Sequence, residues 1–462
     1  MLASGESLGT ERAPACQARA IKPALLISHV SDSSRGTHPQ TADSSPGVTG
    51  ESHLAPDGSI TLETLPAELR LHILRFVSQL GDLKALVRAS PVFHQQYLLD
   101  RQHLLGNALR TTLGTVLVDA QALQRSIGLP DVGLVPLATT KQLVEQQLVE
   151  YGALRGDPDA ALDMCCLVDL ISISSFYLSV IQALLVGLPP LLLSDLGGPP
   201  DLKELSRTER TRWTRALYRV QLFYSLFRFD DPLEVAELQF SETDKIVMFF
   251  GIFDPWENEE IYSVYQAIGH KYARVLEEIP WDLRKYNTTM HESSEPGSFN
   301  LDKCRYPIPC LWTTHTLTLL PRRTDTRNQL KEGTIATGGL DLFRRVLAAA
   351  DHDELANLME ANLAWCTVDT IANMMDWFAQ DMAREEAPSE RDEAEFRSDK
   401  MPFIGDREDA PPLAWVILWR GLYSNTYGDS IPAPLRNFGY VLWDAERLER
   451  TGGRRRVEAH SG

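Results

Sequence analysis

Between residues 60 and 105 the apolar positions follow a helical step, in a stretch that reads ITLETLPAELRLHILRFVSQLGDLKALVRASPVFHQQYLLDRQHLL. Leu65, Leu69, Ile73 and Phe76/Val77 recur every three or four residues, one face of a 3.6-residue period. Pro66 sits where a helix starts, since its missing N–H would be unpaired there anyway. Gly81 breaks the run, and Asp82 is read as the cap of a second helix carrying Leu83, Leu86 and Val87. Ser90-Pro91 opens a third, with Phe93, Tyr97, Leu104 and Ala108 on one side and a continuation towards Leu113. Leu71, Leu74, Leu80, Val92 and Leu98 fall off these stripes, so the segment carries two apolar faces. One suits a local core. The other needs a partner, either the rest of this chain or another molecule, because four or five such side chains left in water forfeit about 6–12 kcal/mol.

The remaining pattern is also helical. Leu143, Gln147 and Leu148 mark a helix from Thr139 to Tyr151, stopped by Gly156-Asp157-Pro158. Trp213, Ala216/Leu217, Val220, Phe223/Tyr224 and Phe227 form a stripe that places Arg212, Arg215 and Arg219 on the outer side. Asp254-Pro255-Trp256-Glu257 has the form of a capping box, opening a helix with Ile261, Val264/Tyr265, Ile268, Tyr272 and Val275 that Pro280 closes. Residues 287–339 lose this order, a helix resumes at Leu340, and another spans Thr370 to Met382. Residues 384–412, mostly acidic, read as a solvated loop. Residues 1–59, rich in Ser, Thr, Pro and Gly, read as a disordered tail, and 451–462 as a short basic one. No repeat of 20–50 residues is visible.

Leu65-Pro66-x-Glu68-Leu69, Ile73, Asp82-Leu83-x-x-Leu86 and Ser90-Pro91-x-Phe93 together resemble an F-box, and with Tyr97 and Arg101 they are similar to the F-box of filamentous-fungal proteins. The closing segment, Pro411 to Trp415, Tyr423-Ser424-Asn425 and Leu435 to Asp444, is similar to the end of that same family. Tyr218–Phe227 and Asp254–Glu257 resemble its middle. Phe438 stands where the family pattern has tryptophan. The resemblance covers about residues 60 to 450. It implies a three-helix module whose first two helices interleave with a Skp-type adaptor, and through it a cullin, in a ubiquitin ligase. By that resemblance the adaptor-binding residues are Leu65, Pro66, Leu69, Ile73, Leu83, Leu86 and Val87.

Composition narrows the function further. The 462 residues carry 45 Lys and Arg against 63 Asp and Glu, a net charge of −18, which argues against nucleic acid and an anionic membrane surface as partners. Cys16, Cys165, Cys166, Cys304, Cys310 and Cys366 show neither disulfide-framework nor zinc spacing, consistent with reduced thiols in the cytoplasm or nucleus. Phe176–Leu193 approaches membrane-span length, but Gln182 and Gly187-Leu188-Pro189-Pro190 interrupt it, so it reads as a core helix ending at Gly187.

Candidate chemistry is thin. Gly428-Asp429-Ser430-Ile431 resembles an esterase nucleophile string, yet only His460 follows it as a base. Asp351-His352-Asp353-Glu354 reads as helix capping, Cys165-Cys166 as inert thiols in an apolar helix, and Glu257, Glu259 and Glu260 as a solvated face. The aromatic cluster of Trp415, Trp419, Tyr423, Tyr427, Phe438, Tyr440 and Trp443, the first three at four-residue steps, reads as core.

The expectation is an all-α chain: a disordered tail (1–59), an F-box (60–110), a larger irregular helical domain (114–450) and a second tail. Its function would be that of a non-catalytic substrate receptor that binds the Skp-type adaptor and an unknown protein target, without a metal or cofactor. Target recognition would use 287–339, the acidic 384–412 loop, or both, the latter favouring a basic target. A helical enzyme or ligand-binding protein, with the first helices as ordinary core, is the alternative. A third possibility keeps adaptor binding but drops the ligase.

Overall fold

A computed structural model describes residues 61–130, 136–194, 204–227, 240–279, 323–364, 371, 384 and 388–461. Among these the regular structure is helical, and the one extended pairing is an isolated bridge between Lys400 and Leu422. All of the expected helix at 370–382 but residue 371, most of the irregular 287–339 stretch and the 1–59 tail lie outside the described residues.

The first helices are α1 (Ala67–Phe76), α2 (Leu80–Ala89), α3 (Pro91–Leu99) and α4 (Arg101–Leu113). Pro66 is the cap of α1 rather than its first residue. Helix α2 begins at Leu80 with Gln79 as cap, so Gly81 and Asp82 lie inside its first turn. Leu80 starts it early because its N–H donates to Thr112 Oγ1 at 3.0 Å and its side chain is buried. Ser90 caps α3 as expected, accepting from the Phe93 N–H, with Pro91 at the first position. The single third helix expected from the sequence is two, broken at Asp100 (φ −132°, ψ 30°), where the Asp100 carboxylate pairs with Arg75 at 2.9 Å.

Helices α5 (Leu117–Ile127), α6 (Leu137–Leu154), α7 (Pro158–Asp163) and α8 (Leu167–Phe176) follow, and a π-turn (Tyr177–Ile181) joins α8 to α9 (Gln182–Ser194). Helix α4 packs on α7 and α8, so the first four helices share a core with those after them, and Leu65–Gly462 forms one compact unit. Helix α9 does not end at Gly187. It continues through Pro189 and Pro190, whose lost hydrogen bonds are offset by burial of Leu188, Leu192 and Leu193. Among the described residues one helix, Leu167–Leu193, is long and apolar enough to cross a membrane, and half of its most apolar window is buried in the protein.

The centre is built on α10 (Arg207–Leu226), packed between α5 and α12 (Pro255–Glu278), and the short α11 (Glu242–Met248) precedes α12 in the chain. The capping box at Asp254 and Glu257 is present, the Asp254 N–H donating to Glu257 at 3.0 Å. Helix α13 (Arg323–Ala348) extends order well into the stretch expected to be irregular. It kinks at Gly339, whose φ of 57° and ψ of −163° only glycine tolerates easily, and Leu340 restarts the helix by donating its N–H to Gln221 Oε1 at 2.8 Å. Helix α14 (His352–Asn362) packs against α13.

The C-terminal part runs through α15 (Glu390–Phe396), α16 (Leu413–Leu418), α17 (Ala433–Asn437), α18 (Ala445–Thr451) and α19 (Gly453–Glu458). The expected acidic loop is therefore partly helical. Asp392 takes hydrogen bonds from Arg384 and Asn425, Asp406 from the Ala445 N–H, and Glu408 pairs with Arg207 and Thr115. The basic end is helical too, anchored by fully buried Val457. Trp415, Tyr427, Phe438, Tyr440 and Trp443 are core, as expected, whereas Trp419 and Tyr423 are only half-buried. Trp415, Trp419 and Tyr423 do not share one helix, because α16 stops at Leu418 and Arg420 turns the chain at φ 54°. Gly439 stands at φ 66°, and a Cβ there would lie 2.6 Å from Leu192, so glycine permits both the turn and the close approach.

Candidate docking surface

The two apolar faces of the first helices are both present. Leu74, Leu80, Leu83 and Phe93 point inward, each at most 2% exposed. The opposite side of α1 is open: Pro66 is exposed, Leu69 is 51% exposed and Phe76 77%. Leu98 and Leu99, at the end of α3, are exposed as well. The Arg75–Asp100 pair and the Asn107 amide on the Arg75 carbonyl (3.3 Å) bring the end of α1 to the end of α3. His72 packs edge-on against the Phe76 ring at 5.4 Å, holding it outward.

Of the expected adaptor residues, Pro66 and Leu69 lie on this open face. Leu65, Ile73, Leu86 and Val87 are half-buried, and the last three pack against the core. Leu83 is a correction. At 2% exposure it belongs to the interior, because α2 starts early at Leu80 and turns Leu80 and Leu83 together under α4. Phe76 and Leu99 emerge as the largest exposed groups of the module. The sequence stripe contained Phe76, and only the break at Asp100 exposes Leu99.

A second assembly was missed in the sequence. Arg212, Arg215 and Arg219 do not face solvent; they are at most 5% exposed, as are Glu257, Glu259 and Glu260. Arg215 grips both oxygens of Glu260 at 2.6 Å. Arg219 binds Asp119 at 2.7 Å, sits 3.2 Å from Glu257 and stacks 4.1 Å over the Phe253 ring. Arg155 also binds Glu257. Arg212 reaches Asp444 at 3.0 Å, Arg447 binds Glu209 at 2.7 Å and Arg436 binds Glu259 at 2.9 Å. Burial works against the Glu257 carboxylate, but Arg219, Arg215 and Arg155 overcome it and hold its pKa well below the usual range. For Glu260 burial wins, pushing the carboxyl up despite Arg215. Burial, then the adjacent Asp119 charge, pushes the Tyr151 hydroxyl well up, and that hydroxyl donates to Asp119.

These groups neutralise one another in a packed interior, where a substrate has no access; their effect is to lock α10 onto α12 and both onto the C-terminal segment. No local pattern in the sequence signals this burial, because the acidic partners of these arginines lie far away along the chain.

The other candidate chemistry resolves into local structure. Asp351 caps α14 by accepting from the Glu354 N–H at 2.8 Å, as expected. The Gly428 N–H donates to Glu259 at 2.8 Å, seating its turn on α12, while His460 Nδ1 bonds the Arg456 carbonyl within its own helix end. Cys165 and Cys166 lie between α7 and α8 rather than in a helix; Cys165 is buried, and burial raises its thiol to about 12, whereas Cys166 is exposed. Among the described residues no three metal-ligating side chains converge. Compared with protein-family models, curated proteins and solved structures, the chain matches none of them.

Proposed function

We propose that this chain is a non-catalytic substrate receptor: its first helices dock a Skp-type adaptor and its larger helical part holds a protein target for ubiquitin transfer. The observation that carries this reading is the open apolar side of α1, with Leu69 and Phe76, on the segment that resembles an F-box. Covering Leu69, Phe76, Leu98 and Leu99 would contribute on the order of 5 kcal/mol or more. Mechanism on this reading is proximity, since holding a target near a charged ubiquitin carrier makes the transfer effectively intramolecular. The acidic 384–412 segment supports a target-binding role less than its composition suggested, because Asp392, Glu395, Asp406 and Glu408 already bond other residues of this chain.

The test is co-purification with a fungal Skp-type adaptor, wild type beside Pro66→Ala/Leu69→Ala. Both side chains are exposed, so the variant keeps its fold, and strong loss of adaptor binding is the expected result. A folded wild-type protein that ignores the adaptor would overturn the reading.

A further inference from the structure

Phe396, the last residue of α15, is 93% exposed, the most open large apolar side chain among the described residues. The chain reverses directly after it. Ser398 stands at φ 56°, and the Ser398 and Asp399 N–H groups donate to the Glu395 and Ala394 carbonyls at 2.9 and 3.0 Å, which closes the helix end. Next comes the single bridge of the fold. Lys400 lies opposite Leu422, flanked by bonds from the Met401 N–H to the Gly421 carbonyl (2.9 Å) and from the Tyr423 N–H to the Asp399 carbonyl (2.8 Å). Bonds on either side of the pair, rather than within it, bring the two side chains close together on one face. Exposure alternates in step: Ser398, Lys400, Pro402 and Ile404 are exposed, and Asp399, Met401 and Phe403 between them are half-buried. The outer face thus carries Leu422, Pro402 and Ile404, with Phe396 at its start. It is held in place without a partner, since Arg384 and Asn425 bind Asp392, Arg384 and Ser424 bind Glu395, and Met401 packs on the core.

One charge here is open. Glu393 and Asp399 pair with Arg397, and Asp392 and Glu395 with Arg384. Lys400 has no ion-pair partner among the described residues, although the chain carries 63 acidic side chains against 45 basic ones. A free lysine beside apolar groups favours a partner that brings its own carboxylate. Strand addition is disfavoured, because Pro402 offers no N–H at the outer edge and lysine and proline are the residues that keep strands off open edges. A partner therefore meets the side chains of this face rather than its backbone.

We propose that this face docks a peptide segment of another protein, with an aromatic or aliphatic residue on Phe396 and Leu422 and a carboxylate on Lys400; that the other protein is the target rests on the receptor reading above.

The experiment selects phage-displayed short random peptides on the full chain, after removing those that also bind Phe396→Ser, and measures the selected peptides by fluorescence anisotropy. They should share an apolar residue close to Asp or Glu, and bind Phe396→Ser roughly tenfold or more weakly, a difference of about 1.4 kcal/mol. Lys400→Glu should weaken them as well and turn a fresh selection towards Lys and Arg. Val149→Ser, which removes an apolar side chain exposed elsewhere, should leave binding unchanged. All three side chains are exposed, so the variants keep the fold. Survival of no peptide, selected peptides indifferent to Lys400→Glu, or a wild-type dimer that Phe396→Ser disperses would overturn the proposal. Adaptor binding on the same samples separates the two ideas: Phe396→Ser should retain it, and a wild type that binds the peptides but no adaptor would sink the receptor reading alone.

Discussion

Glu260→Ala tests whether the buried charges hold the centre together. Glu260 is fully buried, and its two oxygens accept from Arg215 Nε and Nη2, both at 2.6 Å. Alanine removes both acceptors and leaves Arg215 inside, with the Glu408 carbonyl at 2.8 Å and Glu257 at 3.2 Å as its remaining partners. Removing one member of a buried pair costs about 3–5 kcal/mol. The lower half of that range applies, because burying Glu260 is itself unfavourable and its loss returns part of the penalty. At about 1.2 °C per kcal/mol for a unit of roughly 400 residues, the thermal midpoint should fall by about 4 °C. Arg215→Met/Glu260→Leu removes both charges together, so it should recover most of the loss. Urea titrations followed by tryptophan fluorescence, with Trp213 and Trp443 in the same core, would read both. A loss below about 1 kcal/mol for Glu260→Ala, or a double variant no more stable than the single one, would refute the argument.

The other predictions concern pH, backbone and thiols. Burial, helped by Asp406 and Glu209, pushes the Asp444 carboxyl up to about 6 against Ser206 and Arg212. A raised carboxyl binds its proton more tightly in the folded state, so this group subtracts stability as pH rises from about 4 to about 6. Glu257, held low, acts oppositely and loses its contribution as pH falls below its unfolded value. Asp444→Asn should therefore flatten the falling limb between about pH 4 and 6 in urea midpoints measured against pH; an unchanged slope would count against it. Gly339→Ala should lower the unfolding free energy from the same urea titrations by about 1–3 kcal/mol, because a Cβ there would meet Gln221 Oε1 at 2.7 Å at a φ of 57°. Mass mapping after brief treatment with a thiol reagent should find Cys166 modified well before Cys165, and the reverse order would contradict the burial described.

What was legible in the sequence follows physical lines. Helix periods, the Ser90-Pro91 start, the capping box at Asp254 and the burial of Trp415 and Trp443 are local or strongly apolar signals, and they appear where expected. Both faces of α1 could be read as well, since Leu69 and Leu74 differ in register. Placement of charge could not. Arg212, Arg215 and Arg219 look like a solvated face until Glu257, Glu260 and Asp119, far away in sequence, arrive to neutralise them. The expected ends at Gly187 and before Leu340 failed because tertiary burial overrode proline at α9, and because Gly339 kinks α13 rather than starting it. The basic tail failed for a similar reason: Val457 pulls the short α19 into the core.

Isothermal titration of the full chain with a Skp-type adaptor, wild type beside Leu69→Arg, tests the central claim most directly. Leu69 is half exposed and no core contact depends on it, so the variant should fold as the wild type does. The account predicts saturable one-to-one binding by the wild type and an affinity loss of at least roughly a hundredfold, about 2.8 kcal/mol, when a charge is placed in the apolar contact. A wild-type chain that releases no heat with the adaptor, or a Leu69→Arg variant that binds as tightly, would contradict it.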